Sequence, residues 1–108
     1  MKIFFLGDIV GKSGRLTVIR NLKDIVEKNK IDFVIVNGEN AAEAGVGITE
    51  NVTNDLFNSG VDVITTGNHV WDQKETMDHI NSENRLLRPL NLFEPAPGKG
   101  FETYNMKN

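Results

Sequence analysis

A chain of 108 residues with no cysteine and a net charge of −3 holds one domain or part of one. The absence of cysteine excludes disulfides and thiolate metal sites and makes a reducing compartment the natural setting. Charges of both signs are mixed along the chain, so there is no electrostatic footprint for duplex nucleic acid or an anionic membrane.

The opening MKIFFLGDIVG starts like a signal peptide, but Asp8 interrupts the apolar run and no small-residue cleavage site follows. No stretch approaches the roughly 20 apolar residues of a membrane span, so a cytoplasmic protein is expected. Residues 2–6 (KIFFL) read as a buried strand. Leu16, Ile19, Leu22, Ile25 and Val26 fall on one face of a helix, with Ser13 as its N-cap. DFVIV at 32–36 is a second strand. After the loop AAEAGVG, Thr49 caps a helix carrying Val52, Leu56 and Phe57, and Gly60 ends it. Residues 61–66 form a third strand. Asp72 and Glu75 have the spacing of a capping box before a short helix through Met77 and Ile80. RLLRPL is a possible fourth strand, with Pro89 near its end, and the remaining tail is punctuated by Pro and Gly.

Strands rich in Val, Ile and Phe that alternate with helices imply an α/β fold, a parallel sheet with helices on its faces. Right-handed crossovers bring the carboxyl ends of all strands to one edge, where open α/β sheets bind ligands. That edge collects unusual residues here. The first strand ends in Gly7-Asp8, the second in Asn37-Gly38-Glu39-Asn40, and the third in Gly67-Asn68-His69. Carboxylates, amide oxygens and an imidazole suit Mn, Fe or Zn. A carboxylate bridging two metals would form a clamp for phosphoryl displacement.

Taken singly, each residue has an ordinary alternative. Asp8 is equally well a helix cap or turn residue, and His69 a hydrogen-bonded structural histidine. Asn37-Gly38 is a hairpin signal, but no return strand follows it. Trp71 packs in the core, Asp72 caps, and His79 is solvated surface. It is the coincidence at three consecutive strand ends that points to a site. GDIVGKS sits between a strand and a helix as a phosphate-binding P-loop does, yet only three residues separate Gly7 from Gly11 where that loop needs four. An NTPase is therefore a minor reading, although Lys12, Ser13 and the helix N-terminus suit an anion.

With GD, NGEN and GNHVWD in that order, the chain resembles the calcineurin-like metallophosphoesterases. In FLGDIVGKSGR, VNGENAA, TTGNHVWD and RPLN…PGKG it is similar to their bacterial 2′,3′-cyclic-nucleotide 2′-phosphodiesterase branch. Val10 stands where the wider superfamily has a ligating His, and Gly38-Glu39-Asn40 where it has Gly-Asp. Both departures are typical of the branch.

The resemblance implies that residues 1–108 are the amino-terminal part of a single metallophosphoesterase-like domain. They would form the βαβαβα start of a layered sandwich, incomplete at the carboxyl end. It further implies two divalent or mixed-valence ions, iron or manganese, with Asp8 and Asn40 on one, Glu39 bridging both and Asn68 on the other. His69 would be the general acid toward the leaving oxygen. The family adds histidines from later strands, including a Gly-His-x-His motif, whereas this chain has His69 and His79 alone. The expected function is thus metal-dependent hydrolysis of 2′,3′-cyclic nucleotides or similar phosphodiesters, competent with those further ligands. The alternative is a truncated, non-enzymatic module that binds a nucleotide or partner. A small phosphodiester is the expected partner, with no duplex nucleic acid and no membrane. An unfinished sheet edge favours association of copies.

Overall fold

The computed structural model describes residues 1–106. Strand β1 (Ile3–Leu6) leads to α1 (Gly11–Asn29), β2 (Phe33–Asn37), α2 (Glu50–Asn58), β3 (Val63–Thr65), α3 (Thr76–His79) and β4 (Leu86–Leu87). All pairings are parallel and the order is β1-β2-β3-β4. The α/β parallel-sheet expectation holds. Among the described residues no helix is long and apolar enough to cross a membrane.

The register sets Leu6 beside Val36, Val36 beside Ile64, and Ile64 beside Leu86. These residues line one face of the sheet, and Leu22 of α1 and Leu56 of α2 join Val36, Ile64 and Leu86 in one buried cluster. Helices α1 and α2 therefore cover the same face of the sheet. Successive right-handed crossovers that advance in one direction, without reversing, place α1 and α2 on the same side. On β1 the other side carries Ile3 and Phe5, which are exposed. Tyr104 of the tail lies with its ring 6.2 Å from that of Phe33.

Leu56 is fully buried, and Leu56→Ala removes apolar contacts that the helix and sheet cannot rebuild. It is expected to cost about 2–5 kcal/mol, read as a lower urea midpoint with an unchanged slope. A midpoint within error of the parent would place the core elsewhere.

Helix ends follow the sequence in part. Thr49 caps α2, its side chain accepting from the Val52 amide, and Gly60 adopts φ +113° just beyond the helix. Ser13 does not cap α1. The helix starts at Gly11, and the Gly11 amide donates to the Asn40 carbonyl at 2.9 Å. Ser13 thus lies inside the first turn, and the chain enters the helix pinned to a neighbouring strand end. The capping box at Asp72 and Glu75 is also absent. Glu75 Oε1 instead accepts from the Glu50 amide at 2.7 Å, serving the first turn of α2. Helix α3 is short and passes into a 3-10 turn over Ile80–Ser82. His79 is half-buried, with its Nε2 buried and unpartnered among the described residues, rather than solvated.

Candidate functional site

The three strand ends do meet. The Ile9 amide donates to the Asn37 carbonyl at 3.1 Å, and Val10 forms a parallel bridge with Asn40. Asp8 and Asn40 are thereby brought face to face, and Asn40 Nδ2 donates to Asp8 Oδ1 at 2.9 Å. A carboxylate accepts and cannot donate, so the amide nitrogen must face it and the amide oxygen must point away. That oxygen, Asn40 Oδ1, is buried and has no hydrogen-bond partner among the described residues. An unsatisfied buried acceptor is costly unless something electropositive meets it.

Glu39 is held from two sides. Oε1 accepts from Asn37 Nδ2 at 3.2 Å, and Oε2 accepts from the His69 backbone amide at 3.0 Å. Asn37 Oδ1 also accepts from the Glu39 amide at 3.3 Å. Glu39 thus spans from the end of β2 to the segment after β3, with Asn40 and Asp8 on its other flank. This path needs Gly67, because a Cβ there would lie 2.5 and 2.6 Å from the two carboxylate oxygens. Asn68 lies between Gly67 and His69 with an exposed side chain.

His69 Nδ1 lies 2.5 Å from Asp72 Oδ2. Asp72 therefore does not act as a helix cap. Residues 67–72 form a turn, with Val70 N donating to Gly67 O and Asp72 N to His69 O, and it folds the Asp72 carboxylate back onto the His69 ring. Val70 is buried and Trp71 packs against the core, which anchors the turn from below. The spacing of His and Asp three residues apart was the available signal for this contact. Asn37 and Gly67 were visible as motif residues, though not in the roles they fill.

Among the described residues, no three His, Cys, Asp or Glu side chains gather into a metal-sized cluster. The donors at this edge are two carboxylates, Asp8 and Glu39, and the amides Asn40 and Asn68. The orphaned Asn40 oxygen, on the amide that Asp8 holds by its nitrogen, fits a hard cation. Each Glu39 oxygen has a second lone pair beyond the one its N–H donor uses. The donor set suits a metal and is too sparse to enclose one.

A family model described as "YmdB-like protein" matches residues 4–108. The chain belongs to the YmdB-like family. It is 47% identical over 108 residues to the 2′,3′-cyclic-nucleotide 2′-phosphodiesterase of Bacillus subtilis, covering 100% of this chain and 40% of that protein. Its fold matches the crystal structure of a novel phosphatase from Mycoplasma pneumoniae with a TM-score of 0.85 at 38% identity, covering 96% of this chain and 39% of the other. A hypothetical protein from Thermus thermophilus matches with a TM-score of 0.87 at 38% identity, covering 97% of this chain and 40% of the other. The YmdB-like chain spans well under half the length of these relatives, and the names of two of them support phosphodiesterase or phosphatase chemistry in general terms.

Proposed function

We propose that this chain supplies the amino-terminal half of a dinuclear-metal phosphodiesterase site that acts on 2′,3′-cyclic nucleotides or similar small phosphodiesters. The observation that carries the proposal is the Asn40 amide, bonded to Asp8 through nitrogen and left with a buried, unpartnered oxygen. Asp8 and Asn40 would hold one ion, Glu39 would reach both, and Asn68 would reach the second. Bound there, manganese or iron would polarise the phosphoryl oxygens and stabilise the attacking and leaving oxygens.

The chain's own residues do the rest. The Asp72 carboxylate only accepts, so Nδ1 of His69 keeps its proton beside it, and a second proton, on Nε2 of the imidazolium, is the one the ring would give up. His69 then donates that proton to the leaving oxygen as the ester bond breaks. Asn37 and the His69 amide fix the Glu39 carboxylate in place.

Two carboxylates do not neutralise two divalent ions, and amides are weak donors. Calorimetric titration of the chain with Mn²⁺ is therefore expected to give at most one weakly held ion, lost on dialysis. Glu39→Gln, which removes one of the two charges, is expected to abolish the binding. Joined to a carboxyl-terminal region with the Gly-His-x-His ligands, the chain should hydrolyse 2′,3′-cyclic AMP and bis-p-nitrophenyl phosphate in a Mn²⁺- or Fe-dependent way. A folded, metal-loaded protein of that length with no such activity would overturn the proposal in favour of a non-enzymatic binding module. Two tight sites in the isolated chain would show that its residues supply far more of the metal shell than this assignment allows.

A further inference from the structure

Arg15 is only 7% exposed, although it is a charged residue near the start of α1. Its Nη2 donates to Glu43 Oε1 at 2.9 Å, while its Nε is buried with no partner among the described residues. The Glu43 side chain is 67% exposed against 9% for Arg15, so a carboxylate at the surface reaches in to a guanidinium in the interior. A buried charge that loses its partner is strongly destabilised. The hydrogen bond from Arg15 holds the Glu43 carboxyl below its usual range, with the Lys12 charge adding to it. Glu43 is therefore a carboxylate at neutral pH.

Glu43 belongs to the loop that follows Asn40. Ala42 N donates to Gly47 O at 3.0 Å and Gly45 N to Ala42 O at 2.8 Å, which closes residues 42–47 on themselves. Gly45 and Gly47 adopt φ +82° and +75°, so the closure depends on glycine. Gln73 Nε2 donates to the Val46 carbonyl at 3.0 Å on the far side. On the near side the loop crosses the start of α1, where a Cβ on Gly11 would lie 3.9 Å from Gly45 Cα. The same crossing carries the Gly11 amide to the Asn40 carbonyl at 2.9 Å. Arg15 is thus a side-chain tie between α1 and the loop that begins at Asn40, beside the backbone tie at Gly11.

We propose that Arg15 is a positioning residue for the strand-end site: through Glu43 it fastens the 42–47 loop across the start of α1 and so holds the Asn40 amide against Asp8. The proposal rests on the metal assignment of Asn40 made above, and among the described residues Arg15 and Glu43 hydrogen-bond to each other rather than to Asp8, Glu39 or Asn68. Glu43 is exposed, so its removal leaves the apolar core intact but strands the buried Arg15 charge; Glu43→Gln, which keeps an acceptor, separates the two effects.

Two measurements on the chain decide it, Mn²⁺ titration and amide hydrogen exchange. Glu43→Ala should weaken Mn²⁺ binding on the order of 10-fold, the scale of losing a group that orients a ligand. It should also speed exchange at Gly11, Ala42 and Gly45 while the β2 and β3 amides keep their protection. Glu43→Gln retains an acceptor for Arg15 and should fall between wild type and Glu43→Ala. Arg15→Lys combined with Glu43→Ala should be no worse than Glu43→Ala alone, because both act through one contact. Unchanged exchange at Gly11, Ala42 and Gly45 overturns the proposal. So does a uniform loss of protection across the sheet, which marks a general stabilising role. If wild type binds no Mn²⁺, the metal assignment fails by itself, and the exchange pattern still decides whether Arg15 and Glu43 hold the loop.

Discussion

Gly67→Ala is expected to disable the site while leaving the sheet folded. The added methyl would sit 2.5 Å from Glu39 Oε1 and 2.6 Å from Oε2, inside van der Waals contact with both. Glu39 cannot step aside cheaply. Its two oxygens are bonded to Asn37 Nδ2 and the His69 amide, and rotating the carboxylate out breaks both bonds at once. Gly67 is not among the glycines with positive φ, so alanine meets a space problem there and no backbone strain. Misplacing a metal-bridging carboxylate by about 1 Å costs on the order of 10²-fold in activity, and Mn²⁺ affinity should fall about 10- to 100-fold. Gly7→Ala is the control, because a Cβ at Gly7 meets nothing within 4 Å. Wild-type Mn²⁺ affinity in Gly67→Ala would mean that Glu39 is not a ligand.

The residues at the strand ends were legible because they break local rules in the same place. Apolar strand runs that each stop at Gly followed by Asp, Glu or Asn have no turn chemistry that explains all three. Thr49 and Gly60 were legible because a cap and a C-terminal glycine act within one turn of the chain. Ser13, Asp72 and Glu75 were misassigned for a common reason. Each suits a helix start in isolation, but other contacts prevailed, two of them from far along the chain and one, His69, from only three residues away. The Asn40 carbonyl took the Gly11 amide, His69 took Asp72, and Glu75 turned to Glu50. Arg15 was invisible as well, since a lone arginine in a helix pattern reads as surface until the 42–47 loop closes over it. Local signals travel well in sequence. Competition between partners far apart in the chain does not.

His69→Ala should leave Mn²⁺ binding unchanged and still remove most of the activity of the complete protein. A positioned proton donor contributes about 10²- to 10⁴-fold, and the size of the loss depends on the leaving group. In a 2′,3′-cyclic nucleotide the departing oxygen is a ribose alkoxide, which leaves poorly without a proton. In bis-p-nitrophenyl phosphate it is a nitrophenolate, which is stable without one. The variant should therefore lose activity toward 2′,3′-cyclic AMP by the full factor and far less toward the nitrophenyl ester. Asp72→Asn should follow the same pattern at a smaller size, roughly 10-fold on the cyclic nucleotide. It keeps the ring close while removing the carboxylate whose Oδ2 lies 2.5 Å from Nδ1. Equal losses on both substrates would mean that His69 works through binding or metal position, and loss of Mn²⁺ affinity in His69→Ala would identify it as a ligand. If Asp72→Asn matched wild type on both substrates, the contact would belong to the turn alone, and His69 would be aimed by something other than its neighbour three residues on.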